Sequence, residues 1–168
     1  MTELVRKAAA HDLPELLEIY EEARAFMAQN GNPTQWGKNR YPPAELIEKD
    51  IRLSRLYVLE RGGRVCGAFV LMAGDEPTYR VIERGAWPNQ KPYLTVHRLA
   101  SRTGEHGVGM AALAFAAARA REKGLDLRID THADNAPMLR VIESFGFAYC
   151  GMIRVADGSS RRAYQLSC

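Results

Sequence analysis

The run Gly104-Glu105-His106-Gly107-Val108-Gly109 constrains this chain more than any other. It follows a strand-like stretch, Tyr93 to Ala100, and opens a long apolar helix that starts near Val108. Strand, Gly-rich turn and helix N-terminus together make an anion-binding site. The first helical N–H groups have no partner within the helix, and the helix dipole favours negative charge there. Glycine lets the backbone approach a phosphate closely and take positive φ. The run therefore points to a pocket for a phosphorylated ligand, with tight helix–strand packing as the plain alternative.

Two phosphate loops are excluded. A mononucleotide P-loop ends in Gly-Lys-Ser/Thr, whereas this loop ends Gly109-Met110-Ala111 and lacks both lysine and hydroxyl. A dinucleotide fingerprint needs a first βαβ unit and an acidic residue about 20 residues on. Asp126 or Asp130 fits that spacing, but too little chain follows for a second nucleotide half.

After the helix comes a strand, Leu125 to His132, and then Asn135-Ala136-Pro137-Met138-Leu139-Arg140-Val141-Ile142-Glu143-Ser144-Phe145-Gly146-Phe147. In position and spacing this resembles the C-terminal half of a GNAT-family acyltransferase. Gly107 and Gly109 match the two glycines of that family's loop, and Asn135 matches the Asn that opens its next helix. Gly146-Phe147 matches the closing pair, eleven and twelve residues after Asn135. The resemblance covers residues 93–155 firmly and 1–92 more loosely.

The resemblance implies one domain over residues 1–168 in the α/β (α+β) class. Its sheet would be mixed, mostly antiparallel and strongly twisted, with six to seven strands and about four flanking helices. It implies acetyl-CoA as cosubstrate and direct attack by a primary amine of a small molecule or peptide. Leu99, Ala100 and Ser101 would offer backbone groups to the pantetheine and thioester carbonyl. Gly104, Glu105, His106, Gly107, Val108, Gly109 and Met110 would hold the pyrophosphate. Asn135, with Met138 beside it, would touch the pantetheine or adenosine side. A non-catalytic acyl-CoA-binding domain is the alternative.

Two departures from the family pattern stand out. The loop's usual Arg/Gln is Gly104, so Arg102 or His106 is expected to supply positive charge. The Tyr that many members place seven residues after the Asn is Ile142. Tyr149 and Ser144 lie nearby in sequence, neither in the matching position, and Tyr149 is the candidate proton donor.

Acyl transfer needs a neutral amine, a stabilised oxyanion and a leaving thiolate. Backbone donors near Leu99–Ser101 suit the oxyanion. An alkylamine has a pKa around 10, so a base helps. His97, on the strand facing the thioester and with an ordinary pKa of about 6.5, is the first candidate, a structural histidine being the alternative. Glu83, on the long connection, is the second, against a solvated loop charge. His132 and Asp134 are expected to order the helix at Asn135. On the acceptor side, Gln35, Trp36 and Tyr79 are candidates. Trp36 serves either as a pocket wall or as an anchor pinning its loop, and Tyr79 has the same two readings.

Composition fits one globular unit. The 46% apolar share of 168 residues suffices for a core. A net charge of +3, without a dense Lys/Arg cluster, argues against a nucleic-acid partner. Cys66, Cys150 and Cys168 form no disulfide framework or metal motif; the first two are expected to be buried thiols, and cytoplasm is the expected compartment. No metal site, signal peptide or membrane span is visible. A homodimer accords with the resemblance, but no residue specifies an interface.

The pattern predicts a strand at 4–8 and a helix at 13–29, N-capped by Asp12 and with Leu13, Leu16, Leu17, Tyr20 and Ala23 on one face. Residues 34–41 have no period. Pro42-Pro43 opens a helix to about Leu53. A hairpin over 56–61 and 64–72 turns at Gly62-Gly63, and a connection spans 73–92. Beyond the cofactor strand, a helix at 108–123, a strand at 125–132, a helix at 135–145 and strands near 147–155 and 161–167 complete the order, with Asp157-Gly158 as the last turn.

Overall fold

Short β-rich runs separated by glycine and proline set the strands; Pro or Asn marks the start of three helices, and glycine precedes the one that opens at Val108. The computed structural model describes residues 2–37 and 39–168; Met1, and Lys38 within the aperiodic stretch 34–41, lie outside the described residues. The strands are β1 (Glu3–Lys7), β2 (Leu56–Arg61), β3 (Arg64–Ala73), β4 (Tyr93–Ser101), β5 (Asp126–Thr131), β6 (Ala148–Arg154) and β7 (Ser160–Leu166). The helices are α1 (Leu13–Gln29), α2 (Ala44–Arg52), α3 (Val108–Lys123) and α4 (Ala136–Phe145). One sheet takes the order β1-β2-β3-β4-β5-β7-β6. It is mixed: β4 and β5 are parallel, and the pairs β1–β2, β2–β3, β5–β7 and β6–β7 are antiparallel. The expected fold class is the one observed.

Local chemistry explains most boundaries. Gly62 and Gly63 have φ of 57° and 78°, the left-handed pair that a two-residue hairpin turn needs. The first strand spans Glu3–Lys7 rather than 4–8, yet the Ala8 N–H still donates to the Leu56 carbonyl at 2.8 Å. Two expectations change. The buried stripe of α1 is Leu16, Ile19, Tyr20 and Ala23, an i, i+3, i+4, i+7 set, and Leu17 is exposed. Asp12 occupies the N-cap position of α1, but its carboxylate accepts from the Ala9 N–H at 2.7 Å and from Arg6 at 2.8 Å, because a 3₁₀ turn over Ala10–Asp12 precedes the helix.

The chain divides into two compact units. The first comprises Met1–Leu71 and Arg98–Ala112. It contains α1, α2, β1, β2, the end of β4 and the start of α3, and within it Leu59, Cys66 and Val108 form a buried cluster flanked by Val5 and Ala111. The second comprises Met72–His97 and Leu113–Cys168. It holds β5, β6, β7 and α4, with a buried cluster of Tyr79, Ile153 and Ala163 packed against Ile82, Trp87, Tyr93 and Val155. Both expected buried thiols, Cys66 and Cys150, are buried, and burial raises each above the ordinary thiol range. Among the described residues no helix is long and apolar enough to cross a membrane.

Candidate active site

The loop that opens α3 belongs wholly to the first unit. Gly104 and Gly107 have φ of 84° and 74°. A Cβ at Gly104 would meet nothing within 4 Å, and one at Gly107 only Arg61 Nη2 at 3.7 Å. The backbone there is held for its conformation and faces open space. The Gly107 carbonyl accepts from the Ala111 N–H at 3.0 Å, so α3 starts at Val108, and its first turn carries no acidic residue. The Val108 side chain is buried, which anchors the turn to the core. Arg61 braces the loop from β2: Nη1 donates to the His106 carbonyl at 2.6 Å and pairs with the Glu105 carboxylate at 3.3 Å. Glu105 is thereby neutralised, with Arg64 at 3.8 Å as a second cation.

Arg102 and His106 diverge. His106 is exposed on the loop. Arg102 is buried, and its guanidinium is committed elsewhere: to the Val65 carbonyl at 3.1 Å and to Glu15, Glu18 and Glu22 of α1 at 3.4–3.5 Å. The expectation that Arg102 replaces the missing loop cation is therefore corrected. Three carboxylates spaced along one face of α1 outcompete the loop for it.

The end of β4 contains a feature that the sequence does not announce. Arg98 has φ of 49°, left-handed for a bulky residue, in the middle of a strand. Three contacts fix it. Tyr20 donates its hydroxyl to the Arg98 carbonyl at 2.7 Å. The guanidinium donates to the fully buried Asp50 carboxylate at 2.8 and 3.0 Å, and to the Tyr41 hydroxyl at 2.8 Å. Asp50 also accepts from Arg55 at 2.6 Å. This kink re-aims the backbone of Leu99, Ala100 and Ser101, the residues expected to carry the oxyanion donors. Gly67 makes room beside them, since a Cβ there would lie 2.4 Å from Val108 Cγ1 and 2.9 Å from the Ala100 carbonyl oxygen. Neither Arg98 nor Gly67 was among the residues expected from sequence; no residue type predicts the first, and an isolated strand glycine is a weak hint of the second.

In the second unit, β4 and β5 pair from Tyr93↔Asp126 to Val96↔Ile129. His97 is the next residue of β4. It is partly exposed, and its Nε2 lies 4.0 Å from Glu76 Oε2. Glu76 Oε1 accepts from the Thr78 hydroxyl at 2.9 Å, and the Glu76 N–H donates to the Tyr93 hydroxyl at 2.8 Å. Tyr79 donates its hydroxyl to Asp130 at 2.6 Å. Burial raises Asp130 above the usual carboxylate range and Tyr79 well above the usual phenol range. His97 thus sits with Glu76, Tyr79, Tyr93 and Asp130 in one titratable cluster.

The other candidates are placed apart from that cluster. Glu83 is exposed, its carboxylate paired with Arg154 at 3.2 Å, while its backbone bridges Met152; of its two readings, this geometry matches the solvated loop charge. Tyr149 is exposed, edge-on to Tyr164 with centroids 5.6 Å apart, with the Arg162 guanidinium 4.8 Å from its ring. Tyr164 itself is pushed up to about 12 by burial and by its bond to Glu143. Ile142 is fully buried in α4. Asn135 caps α4, its side chain accepting from the Met138 N–H at 3.3 Å, and Gly146 ends the helix at φ 110°. His132 Nδ1 accepts from the Asp134 N–H at 3.0 Å, ordering that turn as expected.

On the acceptor side, Trp36 is buried, its ring 5.8 Å from that of Tyr20 and 6.3 Å from that of Tyr41. Of its two readings, this geometry matches the anchor. Gln35 accepts from Asn32 at 2.8 Å in the same turn. Tyr79 is buried at 2% exposure, which corrects its reading as an open pocket wall. A cavity of about 370 Å³ within the first unit is lined by Tyr20, Glu21, Arg24, Arg40, Pro42 and Ile47 among others.

The family described as Acetyltransferase (GNAT) family matches residues 13–147. A GNAT-family acetyltransferase of Streptococcus agalactiae 2603 superposes with TM-score 0.85 at 30% identity, over 99% of this chain and 95% of that one. One of Listeria monocytogenes 4b F2365 gives 0.71 at 20% identity, over 99% and 95%. A ribosomal-protein-alanine N-acetyltransferase of Brucella melitensis gives 0.63 at 25% identity, over 98% and 99%. No curated protein matches the chain significantly.

Proposed function

This chain belongs to the GNAT acetyltransferase family, and from that premise we propose that it transfers an acetyl group from acetyl-CoA to a primary amine of a small molecule or peptide by direct attack. One observation carries the cosubstrate assignment. Gly104 and Gly107 hold left-handed backbone facing open space at the amide end of α3, with no carboxylate in the first helical turn. Such a turn fits a pyrophosphate, because unpaired N–H groups and the helix dipole both favour anions.

Bound acetyl-CoA supplies an activated thioester. The chain's own residues do the rest. Gly104, His106, Gly107, Val108, Gly109 and Met110 offer backbone donors, the Glu105 N–H closes the turn on the Arg102 carbonyl at 3.1 Å, and Arg61 holds that loop in shape. Leu99, Ala100 and Ser101, which follow the left-handed Arg98, supply the backbone donors that carbonyl charge development requires. His97 takes the acceptor's proton, since an alkylamine is cationic at neutral pH and cannot attack until deprotonated. Asn135 and Met138 belong to the ligand through the α4 start. Acylation of an amine nitrogen is also the activity in the name of the Brucella melitensis neighbour.

A binding-only role is the second reading, favoured by Ile142: a fully buried aliphatic side chain supplies no proton to a leaving thiolate. Thermal-shift titrations with acetyl-CoA, CoA, NAD and ATP, followed by thiol release over an amine panel, test both. A ligand at 100 times its Kd adds about 2.7 kcal/mol of stability. A shift with acetyl-CoA and CoA plus turnover is expected. A shift without turnover selects the binding-only role, and no shift with either coenzyme overturns the loop assignment.

A further inference from the structure

Building on that acyl-transfer reading, we infer that Glu76 is a positioning residue for His97. Its carboxylate favours the tautomer with a proton on Nε2, leaves the accepting lone pair on Nδ1, and balances the imidazolium that forms during turnover.

Glu76 Oε2 lies 4.0 Å from His97 Nε2, and both side chains are 19% exposed, so the charges interact across a partly dry gap. At that distance the contact is electrostatic rather than a hydrogen bond, and it becomes an ion pair when the ring takes up a proton. Glu76 is itself held. Its other oxygen takes the Thr78 hydroxyl, and its N–H is tied to Tyr93 on β4, the strand that carries His97. Asp130, the next carboxylate in the cluster, is occupied by Tyr79 and also feels Arg161. Tyr93 on β4 and Thr78 on the connection before it bond to Glu76, and Tyr79, Asp130 on β5 and Arg161 on β7 are linked to it electrostatically through Asp130.

The proton step balances. An N–H bond of the acceptor's ammonium breaks and its electron pair stays on that nitrogen as the nucleophilic lone pair. The proton bonds to His97 Nδ1, and the resulting imidazolium is countered by Glu76. An opposite charge within 4–6 Å moves a pKa by about one unit or more toward the charged form.

The test is an NMR titration of the full chain, free of ligand, following the four histidines and assigning His97 with His97→Asn. Glu76→Gln keeps the acceptor for Thr78 and removes only the charge. The expected result is a fall of about one unit in the His97 pKa, an equal shift in the acid limb of kcat/KM, and unchanged coenzyme A affinity. Glu76→Asp, which keeps the charge on a shorter arm, should shift His97 by an intermediate amount and serves if the Gln variant does not fold. A His97 titration unmoved in a folded variant overturns the pairing. A titration that moves while the rate profile does not overturns the role in turnover. Absence of turnover with any amine, with the titration shifted as expected, counts against the acyl-transfer reading and leaves the pairing supported.

Discussion

The loop at the start of α3 and the cluster around His97 are built on opposite principles. The loop is backbone: Gly104 and Gly107 in left-handed conformations, amides at a helix end, and side chains such as Val108 turned into the core. The cluster is side chain: His97 from β4, Glu76, Thr78 and Tyr79 from the connection before it, and Asp130 from β5. A backbone site depends on conformation and tolerates much change of residue type except at its glycines. A side-chain site depends on charge, and one isosteric substitution can silence it with the fold intact. The two should therefore fail differently.

The largest effect is expected at Gly107→Val. A β-branched residue at φ 74° is strained whatever the space around it. Coenzyme A affinity measured by calorimetry should fall at least about 100-fold, while the melting transition survives; unchanged affinity would refute a backbone-built site. Next comes His97→Ala, which should cost on the order of 10²-fold in kcat/KM, the usual worth of a general base, with coenzyme A affinity retained. If affinity falls with rate, the separation of the two regions collapses.

This contrast also explains what was legible in the sequence. The loop and the α4 segment could be read because their requirements are local. Glycine marks its own backbone need at 104 and 107, and Asn135 and Gly146 mark the two ends of α4 within one short stretch. The His97 strand was legible too, and so was His97 as a candidate. Its partner was not, because Glu76 lies in a connection whose only regular piece is a 3₁₀ turn at Pro77–Tyr79. Long-range capture misled in the same way. Arg102, read as a loop cation, is taken by glutamates 80 to 87 residues away. The Arg98 kink depends on Asp50, 48 residues distant, and no periodicity encodes such a pairing.

Two further substitutions sharpen the comparison at the level of stability. Gly67→Ala pushes a methyl to 2.4 Å from Val108 and 2.9 Å from the Ala100 carbonyl. Overpacking of this kind costs about 2 kcal/mol. It should be read in urea melts together with a loss of coenzyme A affinity, because the displaced atoms frame the loop. Asp12→Asn should cost about 1.5 kcal/mol, the worth of a charged hydrogen bond. Its hydrogen bonds with Arg6, followed by the Ala9 N–H, lower the folded-state pKa of Asp12. A lowered carboxylate pKa stabilises the fold above its unfolded value of about 3.9, and that contribution is lost as pH falls through the folded value. The wild-type and Asp12→Asn stability curves should therefore differ at neutral pH and converge in acid. Curves that stay parallel to low pH exclude Asp12 as the source.

The smallest effect, and the one that divides structural from functional reading most finely, is at Asn135. Its side chain accepts from the Met138 N–H at 3.3 Å, a long bond, and its own carbonyl accepts from the Leu139 N–H at 3.0 Å. Losing a cap costs about 1 kcal/mol. Asn135→Ala should lose that amount in chemical melts, whereas Asn135→Ser and Asn135→Asp, which also cap, should recover most of it. If the residue is purely a cap, coenzyme A affinity should follow stability across the three variants. Full stability in Asn135→Asp with weakened affinity would assign the side chain to the ligand as well, since an added carboxylate at a helix start repels an anion while still capping the helix.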